Sequence, residues 1–378
     1  MRKSLGKYLL ILVFSLIPTI LIWLPFFFRL QTFWTIPLPQ NGMATIVANY
    51  DGPLYLVVAK TLYNKGLIEA GFQFPLPTEY YAAHFPLFPL LIKLAGIVVN
   101  YPYAMLAVTL SSSILAIFFF EKLISQFVDK KNALFLTFLF SILPARWLIV
   151  RSVGSADPLF VAGILASVYF FKNKKFWLSA LWGAVATFTK SPGILLFVAY
   201  GLFFLVESIK NKGISFSFKK IYPLLLIPLS LVLVFVFYKF TLGDFFAYFH
   251  SGDNIHLRFP PFQIFNYSAT WVGTFWLEEV IFIYTVGAIG IFRLIQKKEL
   301  ELAAFTGIYY LMILFVAHRD ILRYFLPAIP FLFVAFSDLL IKKEVKIVLF
   351  VIIIPIYLYS LSFISQNVMP ISNWGPFL

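Results

Sequence analysis

The sequence predicts an all-α membrane protein that crosses the bilayer about eleven times. Three observations carry this expectation. Apolar residues make up 61% of the 378-residue chain and charged residues only 12%, about half the charged share of a soluble protein. The apolar residues fall in long runs without the two-residue alternation of a barrel strand, which leaves helices as the spanning element. Lys and Arg gather in short loops between those runs, as in segments held on the cytoplasmic side.

The net charge of +14 would suggest a nucleic-acid partner in a soluble chain. Here the cations orient the spans, so the expected partner is the lipid bilayer and no nucleic acid. Zero cysteines exclude disulfides, thiolate catalysis and Cys-type metal sites. Forty-seven Phe, 20 Tyr and 8 Trp suit lipid-facing helices with aromatic belts at the interfaces.

The N-terminus has a basic start and a long apolar core without a small-residue cleavage site, and reads as a retained first helix over Tyr8–Phe28. Residues 30–100 form a polar first outside loop. Within it the apolar run Phe85–Val99 holds Pro86, Pro89 and Lys93 and falls short of the roughly 20 residues a crossing needs, so it is expected to lie at the interface. Later spans follow at 103–120, 132–150, 158–171, 176–190, 193–209, 221–240, 278–293, 301–317, 323–341 and 346–364. With Phe85–Val99 not crossing, the N-terminus and the inside loops hold nineteen of the 30 Lys and Arg; a crossing there would move those loops outside. The N-terminus is therefore inside and the C-terminus outside. The whole chain, 1–378, reads as one integral-membrane domain with a second large outside loop at 242–275.

Under this topology the outside rim carries Asp51, His84, Arg151, Asp157, Lys190, Asp253, His256, Arg258, His318, Arg319, Asp320 and Arg323. Asp51, in YDGP, fits either a helix cap or a general base whose pKa partial desolvation would raise. Arg151 fits a snorkelling cation, and Asp157 before Pro158 a helix start. Lys190 sits in the short turn TKSPG, as an interfacial cation or a partner for an anionic head group. Arg319 and Arg323, four apart, would share a helix face and clamp a phosphate, unless Arg323 simply pairs with Asp320. Asp253, His256 and His250 lack the spacing of a defined ligand set, and there is no HExxH, paired DxD or glycine-rich phosphate loop. The residues call for no metal and no cofactor.

YDGPLYLVVAKTLYNKG resembles the WDGxWYxxIAxxGY motif of the GPI mannosyltransferase II-like group within the GT-C membrane glycosyltransferases. HFPLFPLLIKL resembles that group's FFPLYPLLIRL, ADPLF (156–160) its SESLF, and TKSPGILL (189–196) its TRxxGLLL. The likeness covers roughly residues 45–200; RYFLPAIPF is similar to an Arg-containing late span of the superfamily. Tyr50 stands where the motif has Trp, Asp157 where it has Glu, and Lys190 where it has Arg. The resemblance implies a GT-C fold and an inverting transfer of a sugar, commonly mannose, from a polyprenyl-phosphate donor to a glycan, lipid or protein acceptor. It implies that Asp51 is the catalytic base and Asp157 a second acid. His84, Lys190, Arg319 and Arg323, with Arg151, His256 and Arg258 on the same rim, then become candidates for the donor phosphate or substrate. The short chain is similar to bacterial or archaeal members, which implies a prokaryotic plasma membrane with an extracytoplasmic site. A lipid-linked glycan ligase or polymerase shares that chemistry, and a transporter or flippase of a lipid-linked sugar remains the alternative of another class.

Overall fold

The computed structural model describes residues 2–72, 74, 76–210, 221–252, 255–266, 268 and 277–378. Asp253, the inside loop at 211–220 and part of the 242–275 outside loop lie outside the described residues.

The chain begins with α1 (Arg2–Phe27), then a two-residue hairpin of β1 (Thr32–Phe33) and β2 (Ile36–Pro37), antiparallel with Phe33 facing Ile36. Short helices follow: α2 (Met43–Val47), α3 (Gly52–Thr61), α4 (Lys65–Gly71), a 3₁₀ turn at Thr78–Ala83 and α5 (Leu87–Ala95). The bundle continues with α6 (Tyr101–Ile124), α7 (Lys130–Ile142), α8 (Ala145–Ser152), α9 (Asp157–Lys172), α10 (Phe176–Thr189), α11 (Leu195–Lys210) and α12 (Leu226–Thr241). It closes with α13 (Glu278–Gln296), α14 (Leu300–Ile313), α15 (Ile321–Phe325), α16 (Ile329–Ala335), α17 (Ser337–Leu340), α18 (Lys343–Val351) and α19 (Ile353–Gln366).

Among the described residues, five helices are long and apolar enough to cross a bilayer: Gly6–Phe27, Tyr101–Ile124, Ser191–Lys210, Tyr222–Thr241 and Lys343–Gln366. Phe176–Thr189, Leu300–Ile313 and Ile321–Ala335 are apolar but shorter. The continuous span expected at 132–150 is instead a broken pair, α7 and α8, bent by 68°. Pro144 explains the break: it cannot donate to the helix, and it forces Leu143 into an extended conformation at φ −115°, ψ 142°. Counted together, the pair makes a sixth candidate span. The nine residues of α5 reach only about 14 Å at 1.5 Å each, against a hydrocarbon thickness of about 30 Å.

Two apolar cores result. One runs through the bundle and includes Phe120, Phe140, Trp147 and Tyr200. The other surrounds the first polar segment and draws on Tyr55, Tyr63, Phe88, Met105, Tyr238 and Ile364. Helix α3 is buried on every side from Leu54 to Ala59, which explains its lack of a polar face. Charged residues divide between the bundle ends. Lys7 pairs with Glu121 at 2.5 Å, Lys172 with Glu301 at 3.1 Å, and Lys297 with Asp338 at 2.9 Å. Helix α9 ends at Lys172 and begins at Asp157, so the Lys172 pair and Asp157 occupy opposite ends.

The approach of α2 to α3 sets where Asp51 sits. A β-carbon at Gly52 would lie 2.3 Å from the Val47 carbonyl oxygen, a backbone atom. Gly52→Ala should therefore destabilise the fold by about 1–3 kcal/mol, read as a lower thermal midpoint of detergent-solubilised protein. An unchanged midpoint would show that this approach can relax.

Candidate active site

Asp51 occupies the N-cap position of α3, yet its side chain makes no capping hydrogen bond. Gly52 and Pro53 start the helix without it, Pro at an early position having no N–H to satisfy. The helix-cap alternative is thereby corrected: the carboxylate is 40% exposed and lies 3.5 Å from the Arg323 guanidinium. The residue before it, Tyr50, holds a left-handed backbone at φ 49°, which costs a non-glycine residue about 1 kcal/mol or more. That turn aims Asp51 into a cavity of about 360 Å³ lined also by His84, Asp157, Lys190, His256 and Arg323.

Asp157, buried at the start of α9, organises the opposite wall. One of its oxygens accepts from Lys190, and the other from Arg323 Nε at 2.9 Å and Ser155 Oγ at 2.9 Å. Lys190 reaches it from the turn after α10, and Arg323 from the short helix α15. Two carboxylates and two cations from four elements thus meet within one cavity. Tyr248, bonded to Ser191 at 2.8 Å, brings the 242–252 segment to its edge.

Burial raises the Asp51 pKa, but Arg323, His84 and Lys190 together more than offset it, against a smaller push from Asp157. The net direction is down, the reverse of the rise expected from desolvation alone, because the cations stand close. His84 is also shifted down, first by burial, so it is neutral near pH 7 and its help to Asp51 fades there. At neutral pH the Asp51 carboxylate therefore depends on Arg323 and Lys190. His84 has no hydrogen bond at Nδ1 among the described residues, and its ring stands edge-on to Tyr55 at 4.8 Å. As a neutral imidazole it suits a hydroxyl better than a phosphate. His318, its ring 4.5 Å from His256, is pushed down to about 3 by burial and by neighbouring His256 and Arg323.

Three expected site residues fall elsewhere. Arg151 is fully buried, donating to the Ser141 carbonyl at 2.6 Å and to that of Ser15; it ties α8 to α7 and α1 rather than facing substrate. Arg258 is exposed, its backbone N–H bound to the Phe315 carbonyl at 2.8 Å. Arg319 is exposed and precedes α15, whose N-cap is Asp320, so Arg319 and Arg323 do not share a helical face. The Asp320–Arg323 surface pair is corrected too: Asp320 pairs with Arg146 at 2.7 Å and Arg323 turns inward. Sequence reasoning passed over Arg146 and gave Tyr50 no role beyond its place in the motif. The signal for Arg146 was an arginine two residues after a proline inside an apolar run.

No protein-family model matches the sequence, and neither does any curated protein. Solved structures do match the fold. The archaeal oligosaccharyltransferase AglB from Archaeoglobus fulgidus, in complex with an inhibitory peptide and a dolichol-phosphate, has a TM-score of 0.56 at 13% identity. ArnT from Cupriavidus metallidurans, bound to undecaprenyl phosphate, has a TM-score of 0.57 at 11% identity over 90% of this chain. The apo form of the Archaeoglobus fulgidus oligosaccharyltransferase has a TM-score of 0.59 at 11% identity. The two oligosaccharyltransferase matches each cover 97% of this chain. The chain spans 57% to 62% of the length of these proteins. At these identities the likeness is one of fold, the GT-C membrane fold.

Removing Asp157 would leave Lys190 and Arg323 facing each other without their shared carboxylate. Asp157→Ala should cost about 3–5 kcal/mol, the range for breaking a buried ion pair, seen as a drop in the unfolding midpoint in denaturant. A loss below about 1 kcal/mol would mean that the two cations hold their places without it.

Proposed function

We propose that this chain is an inverting membrane glycosyltransferase that moves a sugar from a polyprenyl-phosphate donor to an acceptor hydroxyl. The observation that carries the reading is Asp51: a carboxylate free of its helix-capping role, open to a closed-in cavity, with Arg323 and Lys190 across from it. Such a group can take a proton, and such cations can receive a leaving phosphate.

In this mechanism the acceptor oxygen attacks the anomeric carbon from the Asp51 side while its proton passes to the Asp51 carboxylate. The bond from the anomeric carbon to the phosphate oxygen breaks, and its electron pair stays on that oxygen. One displacement inverts the configuration, so no protein nucleophile is required. Lys190 and Arg323 stabilise the charge that grows on the phosphate, while Asp157 keeps both in place. An arginine has five N–H donors, so Arg323 can serve Asp157 and still reach a phosphate. The carboxylates also favour the positive character at the anomeric carbon in the transition state. The lowered Asp51 pKa keeps the base ionised throughout the neutral range, with proton transfer driven late in the reaction as the acceptor oxygen loses its own hold on the proton.

The three shorter apolar helices, together with α9 and α13, in this reading complete about eleven crossings. The N-terminus faces the cytoplasm, and the cavity opens on the extracytoplasmic side of a prokaryotic plasma membrane. Support comes from the distribution of Lys-rich loops and from the separation of the Lys7, Lys172 and Lys297 pairs from the cavity. Mannose is the sugar that the motif likeness favours, and the acceptor is a glycan, lipid or protein of the cell envelope.

Asp51→Asn, purified at normal yield, should transfer about 10²–10⁴-fold more slowly from a labelled polyprenyl-phosphate mannose. Retention of near-normal transfer would remove Asp51 as the base. Lipid-linked sugar moved across vesicles without any new glycosidic bond would favour transport over transfer.

A further inference from the structure

Arg323 does not stand on Asp157 alone. Its guanidinium lies over the face of Tyr50, 4.2 Å from the ring centroid. The Tyr50 hydroxyl donates to Asp320 Oδ2 at 3.2 Å and accepts from Arg146 Nη1 at 3.1 Å. Arg146 in turn pairs with Asp320 through Nε at 2.7 Å, which closes a ring of three side chains. The guanidinium of Arg146 is also seated on Phe363, 3.9 Å from its centroid, and donates to the Tyr359 hydroxyl at 3.3 Å. Both members of the Arg146–Asp320 pair are nearly buried, with side-chain exposures of 11% and 10%.

None of these three side chains lines the cavity. Each nevertheless acts on a residue that does. Tyr50 precedes Asp51 and carries Arg323 on its ring; Asp320 stands at the N-cap of the short helix bearing Arg323, where its main-chain carbonyl, not its side chain, accepts the Arg323 backbone N–H at 3.0 Å. The Asp320 backbone N–H also donates to Nδ1 of His318, a residue of the cavity lining, at 3.0 Å. A tryptophan at position 50 would offer the same aromatic face but no hydroxyl acceptor to hold Arg146.

We propose that Tyr50, Arg146 and Asp320 form a positioning triad that sets the Arg323 guanidinium between Asp51 and Asp157. The triad deepens the functional reading above and rests on it for the role of Arg323. A cation is attracted to an aromatic face only while it stays over the ring. The hydroxyl lock on Tyr50 supplies that constraint. Without it the Tyr50 ring keeps its packing on Phe363 but loses its anchor at the hydroxyl, and Arg323 keeps Asp157 but loses its fixed reach to Asp51. Tyr50, Arg146 and Asp320 are positioning residues, since none of them lines the cavity.

The test reads Asp51 itself. The groups facing it are Arg323, Lys190, His84, Asp157, Tyr55, His318 and Tyr324. Infrared titration, with Asp51→Asn as the subtraction, gives its midpoint without any substrate. Tyr50→Phe changes no charge, and should raise the proton affinity of Asp51 about tenfold; Arg146→Gln should do the same. Arg146→Lys restores the charge without the fork, and should stay shifted. An unmoved midpoint in folded Tyr50→Phe, or full recovery in Arg146→Lys, would overturn the triad. Tyr50→Phe keeps the ring's volume, so it decides the matter where the Arg146 variants give too little protein. Transfer from labelled polyprenyl-phosphate sugar is measured alongside. Its absence in the unaltered protein would count against the functional reading, while a shifted Asp51 midpoint would still uphold the triad.

Discussion

Asp157 holds Lys190 on one oxygen and Arg323 on the other, from a site that water barely reaches. Ion pairs so placed gain little net stability over an apolar replacement, because desolvating the charges costs about as much as their attraction returns. What they supply here is geometry. The carboxylate joins the start of α9, the turn after α10 and the helix α15, so three elements meet at a defined separation. Any loosening of that junction moves both cations relative to Asp51 at once.

Asp51 depends on this junction without belonging to it. It remains partly open to the cavity, and its contact with Arg323 is longer than those within the Asp157 cluster. The difference divides the two acids by environment. One is committed to structure by three close partners, and the other keeps lone pairs available for a proton. A left-handed Tyr50, a glycine that admits only hydrogen beside Val47, and a proline that starts the helix accompany an Asp51 side chain that makes no capping bond to α3.

Much of this was legible in the sequence. Composition and the loop cations gave a helical membrane protein, and the short Pro-rich run before Val99 does form a helix too short to cross. Asp51, Asp157, Lys190 and Arg323, drawn from four separate segments, do meet. The failures have physical reasons. Arg151 and Arg258 were placed on the rim by their position along the chain, but a side chain's direction follows from packing, and Arg151 points into the protein. Asp320 lay three residues from Arg323 and suggested a local pair; the competitor was Arg146, 174 residues away, which no local rule can find. The pKa direction of Asp51 depended on cations whose closeness only the fold determines.

The turn that carries Asp51 is also fastened from far along the chain. Asn49 donates to the Ile364 carbonyl at 2.8 Å, the Met369 N–H to the Ala48 carbonyl at 2.7 Å, and Lys60 to the Pro376 carbonyl at 2.8 Å. More than three hundred residues separate these partners. Closing a loop of that length costs entropy that grows only slowly with size, but it must be met after every intervening helix is in place. During synthesis the acid loop emerges before its fasteners, so the turn that carries Asp51 is completed only when they dock.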